Sequence, residues 1–113
     1  MTYLLLAECR VASGLMKEFT AQVQQWEQDA LRHADAPLYH AVYLGSDDPA
    51  SVLVITEFES RDVAARFAAD GRLDAFWDAV VSCMDDPPVE RDGYDLFYAA
   101  TPEGPSVTFG QAT

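Results

Sequence analysis

The chain has 113 residues, a formal net charge of −12 at pH 7, and a composition that is 50% hydrophobic and 12% aromatic. That apolar content excludes a disordered chain, and the length holds one domain with a single modest core. Seven basic residues against 19 acidic ones exclude a nucleic-acid or anionic-membrane role built on a basic surface.

No run reaches the about 18 to 20 consecutive apolar residues of a membrane span. The apolar run at residues 3–7 is too short, and lacks the cationic flank, of a secretory signal. Cys9 and Cys83 lie far apart in sequence and read as reduced thiols, so a cytoplasmic location is expected.

The first segment, Tyr3 to Val11, alternates: Tyr3, Leu5, Ala7, Cys9 and Val11 share one face, and Leu4, Leu6, Glu8 and Arg10 the other. Ser13-Gly14 then opens a helix whose apolar stripe is Leu15, Phe19, Val23, Trp26 and Ala30, with Pro37 marking the exit. Residues 38–45 (LYHAVYLG) and 52–58 (VLVITEF), separated by Ser46-Asp47-Asp48-Pro49, predict a β-hairpin. Ser60 is placed to cap the next helix, with Val63 and Phe67 inward. Gly71 interrupts that helix, and a further stretch carries Leu73, Phe76, Trp77, Val80 and Met84 on its apolar side until Asp85-Asp86-Pro87-Pro88. Tyr94 to Ala99 predicts the last strand.

The order β-α-β-β-α-β predicts an α+β, ferredoxin-like, four-stranded antiparallel sheet with its helices on one face. The other face also keeps apolar residues, among them Leu4, Leu6, Tyr39, Tyr43, Leu53, Ile55 and Phe97. Two helices can cover only one face of the sheet, so a homodimer that pairs two sheets is expected. Residues 1–100 form the domain. Residues 101–113 hold few core signals beyond Val107 and Phe109 and are expected to be a tail, either a mobile terminus or an arm across the partner.

With Ala7-Glu8-Cys9-Arg10 followed by Gly14 and Phe19, the strand at 38–46, and Val54-Ile55-Thr56-Glu57-Phe58-Glu59-Ser60 running into a helix, the chain resembles the antibiotic biosynthesis monooxygenase family of dimeric α/β-barrel proteins over about residues 3–98. The resemblance implies a barrel formed by two subunits, one pocket in each between sheet and helices, and oxygenase or isomerase chemistry on small hydrophobic molecules. Its haem-degrading branch places Asn, Trp and a haem-ligating His at positions that match Cys9, Phe67 and Trp77 here, which argues against haem. Its anthrone oxygenases carry an Asn and a Trp at positions matching Val54 and Phe58, so that pair is also replaced.

By strand parity Val54, Thr56, Phe58 and His40 face such a pocket. His40 is the candidate catalytic base: oxygenation without a cofactor requires deprotonation of a phenol or activated carbon, whose anion passes an electron to O2, and an imidazole near neutrality suits that step. The competing assignment is a core histidine bonded to a backbone carbonyl. Trp26, Phe58, Phe67 and Trp77 are candidate substrate-binding aromatics, with Val54 beside them and Tyr94 and Tyr98 supplying hydroxyls, although core packing explains the same spacing. Arg66 and Arg72 could stabilise an oxyanion or simply form solvated ion pairs.

Two histidines on separate elements and paired loop aspartates give no metal-ligand pattern, and no phosphate-loop, dinucleotide or serine-elbow motif occurs. The function expected is therefore a cofactor-free monooxygenase-like enzyme of secondary metabolism that acts on an aromatic, polyketide-like substrate and uses O2, with neither metal nor organic cofactor. A cofactor-free cyclase or isomerase, or a non-catalytic ligand-binding accessory protein, are the alternatives.

Overall fold

Period-two alternation builds the sheet from β1 (Tyr3–Arg10), β2 (Tyr39–Leu44) and β3 (Ser51–Phe58), as seen in the computed structural model, which describes residues 2–86, 88–90, 93–96 and 99–107. β1 pairs antiparallel with β3 along its whole length, from Tyr3 opposite Phe58 to Arg10 opposite Ser51. β2 pairs antiparallel with the other edge of β3 and sets His40 opposite Thr56. The free edge of β1 receives two short strands, β4 (Val89–Glu90) and β5 (Tyr94–Asp95). The order β2-β3-β1-β4, antiparallel throughout, is the ferredoxin-like α+β sheet.

Among the described residues three α-helices lie on one face: α1 (Met16–Ala30), α2 (Arg61–Ala69) and α3 (Arg72–Val80). α1 buries Phe19, Val23, Trp26 and Ala30, a stripe at helical spacing. α2 starts where the Ser60 hydroxyl accepts the Val63 backbone N–H at 3.2 Å, and Asp62 occupies the first turn, where the helix dipole favours an anion. Gly71 ends α2 and begins α3 with a φ of +78°, which a side chain would resist. That single residue lets two helices of nine residues replace one long one.

The core lies between this layer and the sheet. Cys9, Val52, Val54 and Phe58 from the strands, with Val11 just past β1, meet Phe19, Val23, Phe67, Phe76 and Val80 from the helices. Complete burial of a phenylalanine contributes about 1.5 to 3 kcal/mol, and Phe58 and Phe67 are both fully buried with ring centroids 5.3 Å apart. Both cysteines are buried free thiols, and burial pushes the Cys9 thiol above its ordinary value.

The last strand differs from the expectation of one continuous run from Tyr94 to Ala99. β5 leaves β1 after Asp95, and one more bond, from the Leu96 N–H to the Thr2 carbonyl at 2.9 Å, carries it past the start of β1. An antiparallel strand running in this direction has no further described residue of β1 to pair with. The chain instead forms a separate hairpin, β6 (Ala99–Thr101) with β7 (Gly104–Val107), so the described part of the expected tail is paired. Phe97, Tyr98 and Phe109 lie outside the described residues.

On the face away from the helices, Leu4, Leu53 and Ile55 are half-buried, while Tyr39 (49%), Tyr43 (50%), Val89 (54%) and Tyr94 (50%) stand about half exposed. Their common face follows from the register, which sets Tyr39 opposite Glu57, Tyr43 opposite Leu53, Val89 opposite Glu8 and Tyr94 opposite Leu4. Among the described residues no helix is long and apolar enough to cross a membrane.

Candidate active site

A cavity of about 360 Å³ opens between the sheet and the helices. β1 contributes Tyr3 and Leu5, β2 His40, and β3 Val54 and Thr56. α1 contributes Trp26, and α3 contributes Leu73, Asp74, Phe76 and Trp77. α2 lines it with Arg61, Ala64, Ala65 and Ala68, which share one helical stripe at i, i+3, i+4 and i+7. Three of those four positions hold only a methyl group, so this side of α2 leaves space where larger side chains would fill it.

The aromatic wall is held in place by directed contacts. The Trp26 indole N–H donates to the Arg72 carbonyl at 2.9 Å, tying α1 to the first residue of α3. Trp26 meets Phe76 edge-on at 4.9 Å, and Phe76 meets Trp77 edge-on at 4.8 Å. Such arrangements set the electropositive edge of one ring against the electron-rich face of the next. Tyr3 lies so close to Gly93 that a Cβ there would overlap its phenol ring, which would have to move to admit any other residue.

His40 sits inside this wall with its side chain 2% exposed. Its ring packs 4.9 Å from Trp26 and 5.5 Å from Phe76. Nδ1 is 3.3 Å from the Glu27 carboxylate, which reaches across from α1. Burial pushes the His40 imidazole below its ordinary value, and the hydrogen bond and negative charge of Glu27 oppose that shift. Thr56, also buried, is the register partner of His40 and lines the same wall. A neutral imidazole in an aromatic cavity, with a carboxylate on one nitrogen, is equipped to take a proton from a weakly acidic hydroxyl or carbon.

Of the residues singled out from sequence, the fold brings His40, Trp26, Val54 and Trp77 together on the cavity wall. It places Phe58, Phe67, Tyr94, Arg66 and Arg72 elsewhere, and Tyr98 lies outside the described residues. Phe58 and Phe67 pack against each other in the core behind the wall, as large apolar rings with no polar atom do. Tyr94 is on the opposite face of the sheet, because its partner in β5–β1 pairing is Leu4. Arg66 is five residues after Arg61 and therefore turned well away from the cavity stripe; it bonds Asp35 at 3.1 and 3.2 Å. Arg72 binds Asp29 and approaches Asp70 at 3.6 Å, which engages its guanidinium beside α1.

The arginine among the lining residues is Arg61, and an acidic residue, Asp74, lines the cavity too; both are exposed. Sequence reasoning passed over Arg61, although its register with Ala64, Ala65 and Ala68 was readable. Glu27 was also missed. It borders the buried stripe of α1, one residue after Trp26 and four after Val23, where a long side chain can reach inward.

No protein-family model matches the sequence, and no curated protein matches it. Solved structures do match in shape. A candidate antibiotic biosynthesis monooxygenase from Nitrosomonas europaea superposes with a TM-score of 0.71 at 16% identity, covering 88% of this chain and 94% of that one. Another, from Bordetella bronchiseptica, gives 0.69 at 18% identity over 84% and 96%. A variant of SnoaB, a cofactor-independent oxygenase from Streptomyces nogalater, gives 0.68 at 14% identity over 84% and 92%. Identity this low speaks for the fold alone, and the fold is the one that the antibiotic biosynthesis monooxygenase structures share.

Proposed function

We propose that the chain is a cofactor-independent monooxygenase of secondary metabolism acting on a hydrophobic aromatic, polyketide-like substrate. The observation that carries this reading is His40: a buried, neutral imidazole on the wall of an aromatic cavity, bonded to a carboxylate. The similarity in fold to a cofactor-independent oxygenase supports it.

In this reading the flat substrate lies between Trp26, Phe76 and Trp77, and His40 removes a proton from its activated position. The resulting anion passes an electron to dioxygen, and the two radicals combine. One oxygen atom is retained as a carbonyl where a CH2 group stood, and the other leaves as water. Arg61 supplies positive charge for the anionic oxygen of the deprotonated substrate. Metal and cofactor have no step in this scheme, and the cytoplasm, where free thiols persist, suits Cys9 and Cys83.

We further infer that two copies pair through their open sheet faces. Four half-exposed apolar or aromatic side chains on one surface, Tyr39, Tyr43, Val89 and Tyr94, support that pairing.

The test is turnover of anthrone and hydroquinone substrates by metal-free protein, with and without O2. Oxygen-dependent formation of the carbonyl product is expected. Turnover that persists under strict anaerobiosis replaces the oxygenase with a cyclase or isomerase using the same base, a reading favoured by Val54 and Phe58 in place of an amide and an indole. Binding without any turnover leaves an accessory ligand-binding protein.

A further inference from the structure

We propose that Glu27 is a positioning residue: its carboxylate accepts the Nδ1–H of His40 and so presents an unprotonated Nε2 to the cavity. The inference rests on reading His40 as the base, and it adds which nitrogen acts and what makes it act.

A neutral imidazole carries one N–H donor and one acceptor nitrogen, and an ionised carboxylate can only accept. With Nδ1 3.3 Å from Glu27 Oε2, only the Nδ1–H tautomer makes a bond there; the other tautomer sets two lone pairs against each other. Trp26 and Phe76 pack on the ring and limit its rotation, so fixing Nδ1 also fixes the direction of Nε2.

The two partners differ in exposure in a useful way. The His40 side chain is 2% exposed and the Glu27 side chain 30%, so the carboxylate keeps part of its hydration while the ring it holds is dry. Glu27 also lines a second cavity of about 200 Å³ with Phe19, Thr20, Val23, Gln24 and Val42. When Nε2 takes the substrate proton, the substrate's O–H or C–H bond breaks, an Nε2–H bond forms, and the imidazolium is left beside a carboxylate already in place. Arg61 from α2, Asp74 from α3 and Tyr3 from β1 also line the cavity; Thr56 from β3 is uncharged.

The experiment reads the ring nitrogens of His40 by NMR in the free protein, with its signals assigned by their loss in His40→Ala. Wild type is expected to show a protonated Nδ1 and an unprotonated Nε2 in its neutral form. Glu27→Ala should shift the ring toward the Nε2–H tautomer and lower kcat by about 100-fold, with KM much less affected. Glu27→Gln keeps an acceptor at the same place, but adds an amide donor and removes the charge, so it should hold the tautomer less strictly than wild type, lower the pH at which His40 titrates, and recover part of kcat.

An Nε2–H tautomer in wild type overturns the proposal, as does a ring unchanged in tautomer and titration in Glu27→Ala. Turnover retained by His40→Ala overturns the base assignment instead. Because the ring shifts are read without substrate, they decide the role of Glu27 separately.

Discussion

The two faces of one strand make the useful comparison here. Along β3 the residues alternate between burial and partial exposure, yet both sets are largely apolar: Val52, Val54, Thr56 and Phe58 on one side, Leu53, Ile55 and Glu57 on the other. What separates them is the cover. Helices lie over the first set, while the second shares its surface with Tyr39, Tyr43, Val89 and Tyr94, which stand about half exposed. The covered face is in turn not filled completely, because α2 presents alanines to the cavity. A short chain with more apolar surface than one core requires thus has two outlets for it, a pocket on one side and, in the proposed homodimer, a partner surface on the other.

The largest effect is expected from damage to the covered face. Phe58→Ala removes a fully buried ring that packs on Phe67 and should destabilise the fold by about 3 to 5 kcal/mol. Ile55→Ala, three residues earlier and on the open face, should cost clearly less in a subunit kept monomeric. Urea denaturation of both variants measures the difference, and equal losses would remove the distinction between the faces.

Charge placed on the open face tests its pairing. Tyr43→Glu combined with Val89→Glu puts two carboxylates on a surface that the proposed homodimer buries, and each would lose its hydration on association. The dimer should weaken by about 100-fold or more, read by sedimentation equilibrium, while each subunit stays folded. Wild-type protein that is monomeric at every concentration tested would refute the pairing itself.

Much of this contrast was legible in the sequence, and the misses have physical causes. Period-two alternation in residues 3–11 and 52–58 and the break at Gly71 are local signals, and they led to the right sheet and helices. Strand parity put His40 on the helix side because a pleated strand allows only two choices. Glu27 could not be paired with it in the same way: the two residues are 13 apart and meet only once α1 packs on β2. Arginines posed the reverse problem. Arg66 and Arg72 find carboxylates on Asp35 and Asp29, contacts that depend on how α1 and the loop after it lie beside α2 and α3. The end of β5 depended on where β1 runs out, which is a property of the pair and not of residues 94–99.

The smallest effect expected concerns pH and reaches the covered face alone. Burial lowers the His40 pKa in the folded chain, whereas in the unfolded chain the residue titrates near about 6.5. Between those two values the unfolded state binds more protons, so this part of the stability is fully present above the unfolded value and is lost as pH falls toward the folded one. His40→Gln cannot take up the proton and should lack that loss. Melting temperatures of wild type and variant, compared from about pH 8 down to about pH 5, should therefore draw together or cross as the wild type loses stability faster. His33 is present in both proteins, so its contribution cancels in the comparison. An open-face variant such as Tyr43→Phe should follow the wild-type slope, because it leaves His40 and Glu27 in place. Parallel curves for wild type and His40→Gln would mean that folding leaves the affinity of His40 for its proton unchanged, and the dry imidazole on which the proposed base depends would have to be abandoned.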